Sequence, residues 1–167
     1  MYVTTVRKQM DTRGEPLRVD DPCWNTGGEH ELTYFADLSP YGYQVVETRF
    51  NERWLNVGWI DPSAPFSKGP VEHDVFERLF RLCEKPVNRC RGFHHCLYGS
   101  LESPPSRCSI PARSTLGPGT LVVGNGEIRV PGQNGIVYAA PTLICHYVQR
   151  HGYCPPAEFL EALRNYG

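Results

Sequence analysis

The densest group of residues able to do metal or thiol chemistry is Cys90-Arg-Gly-Phe-His94-His95-Cys96. Thiolate sulfur and imidazole nitrogen are the ligands zinc prefers, four at a time in a tetrahedron. If residues 87–97 form a strand, alternation puts Cys90, Gly92, His94 and Cys96 on one face and Arg91, Phe93 and His95 on the other. His94 and Cys96 then stand ~6–7 Å apart at Cα, near enough to share an ion, while Cys90 is ~13 Å from His94 and needs a bulge to join. The remaining ligands must come from Cys108, Cys145, His146, His151 and Cys154. The candidate set is His94, Cys96, Cys108 and His146; no cofactor is the first expectation, and zinc is the one such a set would take. No Cys-x-x-Cys occurs, so the usual zinc knuckle is missing. The weightier alternative is that Cys90 and Cys96 are small buried thiols and His94 a hydrogen-bonded core residue.

Cys96 could instead be a nucleophile, with His94, His95 or His146 as base and Glu127 orienting it. That chemistry needs a depressed thiol pKa and a base within hydrogen-bond reach. No glycine elbow or helix N-terminus follows Cys96, so no catalytic residue is assigned. His146 and His151 are five apart; on a helix they lie about 140° apart and do not form an i, i+4 ligand pair. His151 is expected to cap its helix, where the dipole favours a cation. Gly124-Asn-Gly-Glu127 opens no helix and so is no phosphate cradle.

The elements that must position these residues follow from local patterns. Leu32 to Ala36, Tyr43 to Thr48 and Trp54 to Ile60 read as strands, separated by turn chemistry at Ser39-Pro-Tyr-Gly42. Val71 to Glu84 predicts an amphipathic helix, with Val71, Val75, Phe76, Leu79, Leu82 and Cys83 on one stripe and Pro86 as its stop. Residues 98–119 read as a Pro-, Ser- and Gly-rich loop. Asn125-Gly126 between Leu121-Val-Val and Glu127-Ile-Arg-Val predicts a hairpin, and Pro131 to Gly135 a further turn into Ile136-Val-Tyr. Two helices close the chain, Ala140 to His151 with Gly152 past its end, and one from Pro155-Pro156 docked by Phe159, Leu160 and Leu163. Strands and helices do not alternate regularly. The expected fold is therefore α+β, a mainly antiparallel sheet with one central amphipathic helix and two C-terminal helices.

The chain has 167 residues, which suits one domain, here residues 31–167 behind a polar arm at 1–30 in which Trp24 is an isolated aromatic. Seventeen basic against eighteen acidic side chains leave a net charge of −1 and no basic stripe, which disfavours nucleic acid. No membrane span or secretory signal is apparent, so a cytoplasmic protein with reduced thiols is expected, its seven cysteines being odd in number. Trp59 is expected in the core, while Tyr41, Tyr43 and Trp54 could form an aromatic contact patch. With no catalytic constellation, the expected function is binding another protein near the 98–119 loop and the Tyr41/Tyr43 turn. The alternative is a metal- or cysteine-dependent enzyme centred on His94 and Cys96. Oligomeric state is not legible.

Asp37-Leu-Ser-Pro-Tyr, Leu55-Asn-Val-Gly-Trp, Arg91-Gly-Phe-His, Gly126-Glu-Ile-Arg-Val, Tyr138-Ala-Ala-Pro, His146-Tyr and His151-Gly-Tyr with Pro155-Pro156 occur in that order. Together, from about Glu31 to Leu163, they resemble an uncharacterised family of small bacterial domains of unknown function. The resemblance implies a bacterial, cytoplasmic protein and brings no activity or substrate. Members of that family tend to read His-x-Cys-x-x-Cys after the Arg-Gly-Phe. Here His94 and Cys96 hold the first two positions and Gly99 the third, which either removes a metal site or shifts a ligand to Cys108. By analogy with other small bacterial domains, an immunity or accessory factor is the expected kind of binding protein.

Overall fold

The computed structural model describes residues 34–43, 52–98 and 108–166. The expected arm at 1–30, most of the strand at 43–48 and the middle of the 98–119 loop lie outside the described residues. Five strands and three helices follow in order: β1 (Arg53–Asn56), α1 (His73–Cys83), β2 (Arg113–Leu116), β3 (Gly119–Val122), β4 (Glu127–Pro131), β5 (Ile136–Pro141), α2 (Leu143–His151) and α3 (Ala157–Asn165). The class is α+β. One sheet has the order β1-β5-β4 and a second pairs β2 with β3. The β4–β5 and β2–β3 pairs are antiparallel; β1 runs parallel to β5.

The amphipathic stripe of α1 behaves as its period demands: Val75, Leu79, Phe80 and Cys83 are buried, with Asp74 in the first turn and Arg81 in the last. α2 ends where Gly152 takes φ 66°, the left-handed conformation that only glycine adopts without cost. In α3, Phe159, Ala162 and Leu163 face inward. These helices pack on β4 and β2 around a core that includes Val57, Val130, Tyr138 and Ile144. Trp59 belongs to it, its indole Nε1–H donating to the Ala139 carbonyl at 3.1 Å. Trp54 is half-buried under the Arg129 guanidinium, 4.7 Å from its ring centroid.

Four local expectations are corrected. Residues 87–97 are not a strand. Val87 forms one isolated bridge to Glu127, after which Asn88 at φ 47° breaks the extension. The segment is held instead by Cys90 N–H to the Asn125 carbonyl and His94 N–H to the Gly124 carbonyl. Asn125-Gly126 is not a hairpin turn either, because β3 pairs back onto β2 through Gly117-Pro118, and β4 pairs forward onto β5. Gly124 serves a close approach: a Cβ there would stand 2.5 Å from the His94 carbonyl oxygen. The strand expected over 54–60 stops at Asn56, since Gly58 turns the chain at φ 73°. Of the strand expected at 32–36, the described residues 34–36 pair irregularly, with Phe35 N–H donating to the Trp59 carbonyl.

Candidate metal centre

Three segments meet at the C-terminal end of α2. α2 contributes His146 and His151. The chain entering β2 contributes Cys108, and the irregular segment after Gly92 contributes Cys96. One ligand-type atom from each of these four residues lies within 4.8 Å of all the others. Cys96 Sγ is 3.1 Å, and Cys108 Sγ 3.6 Å, from His151 Nε2. A tetrahedral zinc with Zn–S about 2.3 Å and Zn–N about 2.0–2.1 Å has sulfur–nitrogen edges of about 3.6 Å, so the spacing is the right size for one ion.

β2 is pinned to α2 by side-chain bonds that fix the geometry. Gln149 accepts from Thr115 N–H at 2.9 Å and donates to the Thr115 carbonyl at 2.8 Å. His146 Nδ1 lies 2.8 Å from the Arg113 carbonyl. A carbonyl can only accept, so Nδ1 carries the proton and Nε2 keeps its lone pair in the neutral ring. That Nε2 is buried and has no hydrogen-bond partner. Burial holds the His146 pKa below the ordinary imidazole value, against the opposing pull of the Arg113 carbonyl. Aromatic rings close the other side: the Tyr98 ring lies tilted against His151 with centroids 5.3 Å apart, and edge-to-face with Tyr147 at 5.9 Å. Burial, then electrostatic interaction with Cys96, raises the Tyr147 phenol pKa.

Of the four residues read as ligands from the sequence, the fold gathers Cys96, Cys108 and His146 and adds His151. His94 is elsewhere, with its Nε2 3.2 Å from the Tyr43 hydroxyl. His151 is not legible as a ligand from the geometry of its own helix. Two histidines about 140° apart cannot clamp an ion by themselves, but thiols from two other segments can complete the set, and the imidazole centroids are 5.2 Å apart. The signal that could have found it is a histidine immediately before a helix-ending glycine, in reach of whatever packs at that end. Cys90 departs from the expectation of free thiols and is disulfide-bonded. Cys83 and Cys145 sit in the core with their sulfurs 3.2 Å apart.

A second feature lies beside the centre. A cavity of about 210 Å³ is lined by residues including Trp59, Asp61, His94, Glu127 and Tyr147. Glu127 is almost wholly buried and saturated, accepting from Tyr41 at 2.7 Å, Asn88 at 2.5 Å and Arg129 at 3.0 Å. Neither the two thiols nor the two histidines of the cluster line this cavity.

Among the described residues no helix is long and apolar enough to cross a membrane. No curated protein and no solved structure matches the chain significantly. A family model described as Domain of unknown function (DUF7919) matches residues 33–164, nearly the span over which the sequence motifs resemble such a family. With most of its length matched, the chain belongs to this family of domains of unknown function.

Proposed function

We propose that this domain binds one zinc ion through Cys96, Cys108, His146 and His151, and that the ion is structural. The observation that carries the reading is His146: its Nδ1 is committed to the Arg113 carbonyl, and its buried Nε2 has no partner. An imidazole so oriented from behind is how proteins hold a metal-ligating histidine, whereas a buried acceptor left without a partner costs about 1–3 kcal/mol. Four protein ligands complete a tetrahedron and leave no position for a substrate. Such an ion would tie three distant segments together, so its binding energy would be folding energy.

A Cys96–His151 catalytic dyad is the competing reading, favoured by their 3.1 Å contact. Two facts count against it. A second thiol, Cys108, approaches the same imidazole nitrogen, which a dyad does not require, and the cavity is not lined by Cys96. The role we assign to the domain is that of a protein-binding factor, of the accessory or immunity kind. Ile110, 74% exposed and two residues beyond Cys108, supports it as an apolar contact residue that a metal would hold in place.

Metal analysis of protein purified without added metal tests the centre. About one zinc per chain is expected, lost in Cys108→Ser and kept in Cys154→Ser, with proton release when zinc is returned to the stripped protein. Metal-free protein that melts at the same temperature with and without added zinc would end the proposal. For the binding role, Ile110→Asp should weaken a purified partner's affinity without lowering zinc content; an unchanged affinity would remove this surface.

A further inference from the structure

The cavity beside the centre has an unbalanced wall. Two carboxylates line it, Asp61 and Glu127, together with His94 and His95, and among the described residues no lysine or arginine does; burial, then the neighbouring His95, lowers the His94 pKa and favours its neutral ring. Glu127 is satisfied by Tyr41, Asn88 and Arg129. Asp61 is not. Its Oδ1 accepts from Ser63 N–H at 2.6 Å, which closes a local turn, but its Oδ2 is buried with no hydrogen-bond partner. The residue is only 5% exposed, and no ion pair reaches it among the described residues. A buried carboxylate without a cation is costly, and few native structures leave one so.

The rest of the wall suits an organic ligand. Tyr43 and Trp59 present a pair of rings with centroids 4.4 Å apart, and Phe93 and Leu143 add apolar surface. Aromatic faces attract cations and also cover hydrocarbon. The volume of about 210 Å³ exceeds the roughly 150 Å³ that accepts benzene in an engineered cavity, yet is below the usual range for drug-sized ligands. It therefore fits a compact molecule of one ring or a short chain.

We propose that this cavity binds a small monocationic primary amine, with its ammonium facing the Asp61 carboxylate and its hydrocarbon against Trp59 and Phe93. The ammonium supplies the countercharge that no ion pair gives Asp61 among the described residues. A neutral molecule of the same shape does not supply it, and a carboxylate would be repelled by both acids. This site shares no ligand residue with the proposed zinc centre and does not depend on it.

The test compares three probes of one shape on the full chain: benzylamine, benzyl alcohol and benzoate, titrated while amide shifts are followed by NMR. Benzylamine should bind at least tenfold more tightly than benzyl alcohol, benzoate should not bind, and the shifts should centre on Gly58, Asp61 and Gly124. Asp61→Asn keeps an oxygen for Ser63 N–H and should reduce benzylamine to the level of benzyl alcohol. If that variant does not fold, the three-probe comparison on the native chain still decides. Equal binding of amine and alcohol, binding of neither, or shifts centred elsewhere would overturn the proposal.

Discussion

Cys96 Sγ lies 3.1 Å from His151 Nε2 although 55 residues separate them in the chain. Neither residue is placed by regular strand geometry. Cys96 sits in an irregular segment held by two backbone hydrogen bonds to Gly124 and Asn125, and His151 is the last residue of α2. Gly124, which accepts from His94 N–H, is itself tied to Thr142 at the start of α2, while Gln149 and His146 lock β2 to α2 and bring Cys108 up to the same corner.

Histidine exchange should separate the ligand set from its neighbour. His151→Ala is expected to lose most bound zinc and to lower the melting temperature. His94→Ala should leave zinc content unchanged, since its ring faces the Tyr43 hydroxyl rather than the thiols. Atomic absorption on both variants checks this; zinc lost from the His94 variant and retained by the His151 variant would restore the strand-based assignment.

Tyr41 should make stability fall at alkaline pH. Burial, then its hydrogen bond to Glu127, raises its pKa far above the ordinary phenol value of 10. Folded chains therefore hold the proton where unfolded chains release it. The stabilisation is complete below about pH 10 and declines as pH rises from there toward the folded value. Urea midpoints between pH 8 and 11 should show a shallower decline in Tyr41→Phe than in the parent.

Glu127→Ala should be strongly destabilising, by about 3 kcal/mol, because it leaves the Tyr41 and Asn88 donors and the Arg129 guanidinium without their shared acceptor. Glu127→Gln retains an acceptor and should cost less. Chemical denaturation of the pair checks the order; equal losses would show that shape rather than charge matters there.

Gly58→Ala tests the turn that ends β1. The residue has φ 73°, and an added Cβ would stand 2.9 Å from Ile144 Cδ1 and Cγ1 on α2. Left-handed strain and overpacking together should cost about 2–4 kcal/mol. The companion Gly152→Ala, with the same backbone demand but open space around it, should cost only the strain, about 1 kcal/mol. Comparable losses in the two variants would mean that the α2 contact is unimportant.

The three helices and the α+β class could be read from the chain because they rest on local regularities. α1 shows in the spacing of Val75, Leu79 and Cys83, α2 in its terminating Gly152, and α3 in Phe159 and Leu163 behind Pro155-Pro156. Each signal lies within a few residues of the structure it dictates. The residue types of the centre were equally visible, and Cys96, Cys108 and His146 are among those the fold gathers. Strand partners were not. Asn125-Gly126 has hairpin chemistry, yet Gly124 is taken by the His94 backbone and the Thr142 hydroxyl, so β4 turns to β5. That His151 rather than His94 meets the two thiols was decided in the same way, by which distant segments pack at one end of α2. Period and propensity act over one or two turns of chain. Pairing and ligand sets are settled by contacts across dozens of residues, where competing partners differ by little until the whole core is assembled.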